Sequence, residues 1–176
     1  MSEDRHILSW RNPEDSADFL EAEKDEECRK AAAKAMNLLL QQDRTQKNLL
    51  DRLYHAGFSE KASAYALQYV MHFGYVDDLR YAQNYISYHK GERSRKELRY
   101  KLMDRGVPPE IITEAFSEYE EEDEYEALRK MLKKRLKGKC LSELDYPARE
   151  KVAAYLARKG YALPAIRTVM REWMEE

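Results

Sequence analysis

The chain has 176 residues, 43% hydrophobic and 36% charged, with a net charge of −2, enough for one ordinary domain or a few small helical units over a lean core. No apolar run reaches the roughly 18 residues that a membrane-crossing helix requires, and the first ten residues carry acids where a secretion signal needs a cationic start and an apolar stretch. Cys28 and Cys140 lack a partner at metal or redox spacing, which points to the cytoplasm, and few glycines and prolines favour helices over strands.

Residues 1–30 hold ten acids against five Lys or Arg and show weak periodicity, so they read as an acidic arm, helical from Asp15 to Cys28 or mobile. From Ala31 onward nearly everything has helical spacing. Gly57, Gly106 and Gly160 each end a helix with apolar residues four and eight positions before: Leu53 and Leu49, Leu102 and Leu98, Leu156 and Val152. A turn and another helix follow each glycine, with matched apolar positions at Ala66, Ala115 and Val169. Upstream of each lies a first helix with Ala35 and Leu39, Ala82 and Ile86, or Ala127 and Met131. The unit is three helices and occurs three times, over residues 31–74, 75–120 and 121–176. The expected fold class is all-α, with three tandem three-helix repeats in an elongated, curved array.

Within the second repeat, Gly74-Tyr75-Val76 forms a turn and the pair Asp77-Asp78 stands at a helix start, where a carboxylate accepts from free N–H groups and suits the helix dipole. Ser94 offers another N-cap. Between Lys90 and Arg105 lie seven basic residues against three acids. With Leu98 and Leu102 as the buried edge, Lys96, Arg99 and Tyr100 face outward, and Arg93 and Arg95 flank the first turn. Guanidinium forks fit phosphates and carboxylates, and a neighbouring tyrosine stacks on a base or packs at an interface. Lys90 opens the same cluster. In the third repeat Leu128, Met131, Leu132 and Leu136 form a buried stripe, and Lys130, Lys133, Lys134 and Lys137 recur on the other side. Acids from Glu120 to Glu124 at the start of that helix and bases at its end also match the dipole. These ten positions are the candidate partner- or phosphate-binding residues, with a solvated helix face as the alternative.

The sequence offers no glycine-rich phosphate loop, no G-x-S-x-G and no H-E-x-x-H, and its four histidines lack metal-ligand spacing, so neither catalysis nor a cofactor is expected. Among the thirteen tyrosines, Tyr65, Tyr69 and Tyr85 read as core, with a tyrosine-rich groove between repeats that grips a partner as the alternative.

The ordered set of Leu38–Leu50 (LLLQQDRTQKNLL), Gly57-Phe58-Ser59-Glu60, Gly74-Tyr75-Val76-Asp77-Asp78, Tyr81-Ala82, Tyr85-Ile86, Leu98, Leu102 and Gly106-Val107 resembles the RecX regulatory proteins. The resemblance covers about residues 31–174 and is strongest from 44 to 116. It implies a non-enzymatic regulator of the recombinase RecA, monomeric, that lodges in the groove of the RecA–single-strand DNA filament and slows its ATP hydrolysis, strand exchange and coprotease activity. The chain departs from the family in its balanced net charge, and its acidic first 30 residues have no counterpart in the pattern. Two other readings stay open: a helical-repeat protein that binds DNA without RecA, and a scaffold that binds another protein.

Overall fold

A computed structural model describes residues 21–175. Among the described residues there are nine α-helices and no strand: α1 (Glu26–Gln41), α2 (Gln46–His55), α3 (Glu60–His72), α4 (Asp78–His89), α5 (Arg95–Asp104), α6 (Pro109–Ala115), α7 (Glu121–Leu136), α8 (Tyr146–Arg158) and α9 (Leu163–Glu175). They follow one another as three three-helix repeats. The chain divides into two compact units, one running to Tyr81 and including 105–107, the other formed by 82–104 and the residues from Pro108 onward.

In the first unit, α1 starts because the Asp25 side chain accepts the Glu27 N–H at 2.9 Å, with Glu26 and Glu27 as acids in its first turn. The opening helix of the first repeat therefore begins at Glu26, inside the stretch assigned from sequence to the acidic arm. Residues 1–20 of that arm lie outside the described residues. Of the helix expected from Asp15 to Cys28, the chain between 21 and 28 is interrupted by a turn at 23–24. Cys28, Ala31, Ala35 and Leu38 recur at helical spacing and are buried with Leu49, Leu53, Tyr65, Ala66 and Val70 of α2 and α3. A fully buried leucine such as Leu49 contributes about 1.5–3 kcal/mol. Ser59 caps α3, and its N–H and hydroxyl donate to the two Glu27 carboxylate oxygens at 2.7 and 2.8 Å, tying α3 to α1.

The buried Arg44–Thr45 pair supplies the next link. Arg44 donates to the Leu38 carbonyl at 3.4 Å and to the Asn48 amide oxygen at 2.8 Å. Thr45 caps α2 by accepting the Asn48 N–H, and its own hydroxyl donates to the Arg105 carbonyl at 2.6 Å. One residue on, the Gln46 N–H donates to Asp78 at 2.9 Å. Of the two acids expected to cap α4, only Asp77 faces its own helix, accepting from the Arg80 N–H at 3.0 Å. Asp78 is buried and caps α2 instead. Gly106, at φ +80°, leaves its Cβ side to the Lys47 stem, a place that a side chain would fill.

The second unit repeats that joint with different residues. Ser94 caps α5 by accepting the Glu97 N–H at 3.1 Å, and its hydroxyl donates to the Lys159 carbonyl at 2.7 Å. The Arg95 N–H donates to Glu124 at 2.9 Å. Gly160, at φ +98°, receives Ser94 and the Lys96 stem where Gly106 receives Lys47. A capping hydroxyl, the next N–H, a carboxylate from the start of a later helix and a glycine thus recur as one device. The core of this unit is Leu128, Leu132, Leu136 and Leu141 with Leu156, Ile166 and Val169, and Met131 is half-buried against it. Leu98, Leu102, Ile112 and Phe116 are buried along α5 and α6.

Candidate functional site

The ten basic and aromatic candidates all fall in the second unit, and the structure sorts them by what holds them. Lys90, just past the end of α4, places its Nζ 2.9 and 3.1 Å from the two Asp123 oxygens. That hydrogen-bonded carboxylate holds the Lys90 ammonium above its ordinary range. Arg93 reaches Glu97 at 3.4 Å. The Arg95 guanidinium lies 5.2 Å from the Phe116 ring centroid and 5.5 Å from that of Tyr119, a cation–π arrangement. These three bases are engaged by the fold, and an acid or a ring beside each accounts for its position.

The outward face of α5 is different. Lys96, Tyr100 and Met103 recur at helical spacing and are exposed, Tyr100 by 65% and Met103 by 57%. Arg99 stands beside them, half-buried, donating to the Thr113 hydroxyl at 3.1 Å with its guanidinium 5.4 Å from the Phe116 ring. Below this face opens a cleft of about 540 Å³ lined by Arg95, Lys96 and Arg99 on one side and by Tyr119, Tyr125, Glu121 and Glu124 on the other. Glu124 organises that wall, accepting both the Arg95 N–H and the Tyr119 hydroxyl at 2.9 Å. Burial is the main cause that pushes the Tyr119 phenol up, with Glu124 adding to it, so it stays a neutral donor.

On α7 the capping box formed by Glu120 and Asp123 starts the helix, and Lys130 pairs with Glu126 at 2.9 Å. Lys133 and Lys134 are exposed. Lys137 is the C-cap, in the left-handed conformation at φ 50°, its N–H donating to the Lys133 carbonyl. The stripe expected from spacing is therefore divided: Lys130 has an intrahelical carboxylate, and Lys137 has left the helix. Among the described residues no group of three or more His, Cys, Asp or Glu is placed to hold a metal ion, and no helix is long and apolar enough to cross a membrane.

Two features of this face were missed in the sequence. Met103 lies three residues after Tyr100, a spacing that was there to be read. Glu124 looked like one more acid favoured by the helix dipole, and nothing in its neighbours signals a contact with residues 29 positions away.

Fold and surface together define an all-α protein of tandem three-helix repeats carrying a cationic, aromatic helix face open to solvent. The family model described as the second three-helix domain of RecX matches residues 77–115, and that of the third matches 121–170. The chain is 30% identical to a regulatory protein RecX of Clostridium botulinum over 84% of its own length and 68% of the relative's. It is 31% identical to one of Amycolatopsis mediterranei over 86% and 87%. In fold it is similar to the crystal structure of RecX from Lactobacillus salivarius, with a TM-score of 0.74 at 21% identity over 84% of this chain and 97% of that one. The chain belongs to the RecX family of regulatory proteins.

Proposed function

We propose that this chain binds the RecA–single-strand DNA filament, in its groove, and inhibits its ATP hydrolysis, strand exchange and coprotease activity by occupancy rather than chemistry. Family membership supports the regulatory role. The observation that carries the binding surface is the exposed Lys96–Tyr100–Met103 face of α5 with Arg99 at its side. Tyrosine, methionine and arginine are the residue types enriched at the centres of protein interfaces, and a large exposed ring and thioether one turn apart gain most when a partner covers them. Regulation by binding requires that the filament state held by the chain be the state that binds it more tightly.

The test is single-strand-DNA-dependent ATP hydrolysis by RecA of the same organism, with the chain, with a Lys96→Glu, Arg99→Glu variant and with a Tyr100→Ala, Met103→Ala variant. Inhibition at substoichiometric chain, relieved by both variants, is expected. A second reading, direct DNA binding, is favoured by the exposed Lys133 and Lys134. An unchanged ATPase rate, together with binding to bare DNA that falls steeply with salt, would replace the first reading with the second.

A further inference from the structure

Between the last turn of α7 and the first turns of α8 lies a small cavity of about 240 Å³. Its floor is aliphatic, built from Leu136 of α7, Leu144 of the connecting loop, and Ala148 and Val152 one turn apart on α8. Its rim is cationic, because Lys137, Lys139 and Lys151 stand around it, all exposed, and no acid lines it. Arg135 closes one side, its guanidinium 5.2 Å from the Tyr155 ring centroid. Two other hollows in this unit are balanced: Glu121 and Glu124 line the cleft under α5, and Asp123 and Glu126 line the hollow at Lys90. Lys137, Lys139 and Lys151 form no ion pair among the described residues. The dipole of α7 explains cations in that helix's last turn, but not Lys139 in the loop or Lys151 in the middle of α8.

We propose that this cavity docks an acidic segment of a protein partner, with one apolar side chain seated on the aliphatic floor and flanking carboxylates against the lysine rim. The volume lies below the roughly 300–1,000 Å³ of small-molecule sites and suits a single large side chain, the anchor around which protein interfaces concentrate their affinity. A nucleic acid strand would leave the floor unused, since strand binding couples phosphate contacts to aromatic stacking and no aromatic residue lines this floor. Unpaired cations complement carboxylates and steer their approach. The inference rests on this cavity alone and stands whether or not the partner is the filament proposed above.

The experiment is fluorescence anisotropy of the full chain with a short labelled peptide bearing one phenylalanine among aspartates and glutamates. Replacing the phenylalanine with serine weakens binding by about tenfold or more, the effect of removing a buried ring. A Lys137→Ala, Lys139→Ala, Lys151→Ala variant, changed only at exposed positions, loses about tenfold at low salt and flattens the salt dependence. Ala148→Leu fills the floor without altering charge and weakens the phenylalanine peptide more than the serine one. Circular dichroism verifies that each variant is folded, and the lysine variant carries the test if Ala148→Leu is not. Equal binding of the two peptides by the native chain overturns the proposal, as does no binding of either. So does displacement of the peptide by a single-stranded oligonucleotide that binds more tightly through the same lysines, which would mark a phosphate site.

Discussion

Replacing Gly160 with alanine tests the recurring joint most directly, because Gly138 provides an internal control in the same unit. Both glycines have positive φ, +84° at Gly138 and +98° at Gly160, so alanine at either bears the left-handed penalty of about 1–2 kcal/mol. A Cβ at Gly138 meets nothing within 4 Å, whereas at Gly160 it lies 2.6 Å from the Ser94 hydroxyl oxygen and 3.1 Å from the Lys96 Cβ. That hydroxyl donates to the Lys159 carbonyl at 2.7 Å and accepts the Glu97 N–H, so moving it leaves partly buried groups without partners. The added cost is about 1–3 kcal/mol. Gly160→Ala should therefore lower the urea midpoint of this unit by about 1 M more than Gly138→Ala, taking a urea dependence of about 2 kcal/mol per molar. In a Ser94→Ala background the hydroxyl is gone and the extra cost shrinks by about 1 kcal/mol, a coupling that a double-mutant cycle measures. Equal midpoints for the two glycine variants, or full additivity with Ser94→Ala, would refute the joint as described.

Two further outcomes follow from buried and half-buried charges. Burial raises the Asp78 carboxyl above its ordinary range, only partly offset by the Gln46 N–H, so the folded chain holds the proton more tightly than the unfolded chain. Stability from this group is present below the ordinary carboxylate range and is lost as pH rises toward the raised value. Asp78→Asn keeps an acceptor for Gln46, removes that slope and is neutral or stabilising at pH 7. Asp78→Ala orphans the N–H and costs about 1–3 kcal/mol. Urea midpoints across acid and neutral pH distinguish these results from a pH-independent Asp78. Lys90→Ala, by contrast, should cost under about 1 kcal/mol, since the pair with Asp123 is partly exposed. In the ATP hydrolysis assay of the proposed RecA inhibition it should behave as the native chain does, and a weaker effect than the native chain's would return Lys90 to the proposed binding surface.

The helices and their three-fold repetition were legible in the chain itself. Leu49 and Leu53, Leu98 and Leu102, and Val152 and Leu156 recur before glycines, and periodicity of 3.6 with a positive-φ stop is a local property that neighbours in sequence impose. Ser94 and Asp77 announce helix starts for the same local reason. The outward direction of Lys96 and Tyr100 also followed from where Leu98 and Leu102 point. What only the tertiary structure decided is which polar groups are taken. Asp78 serves α2 rather than its own helix, Glu124 serves the Arg95 N–H and Tyr119, Lys90 is matched to Asp123, and Lys137, Lys139 and Lys151 converge on one cavity. Spacing along a helix sets the face on which a charge stands. Whether that charge is spent within the fold or left for a partner depends on residues brought beside it from tens of positions away, and no local pattern encodes that distance.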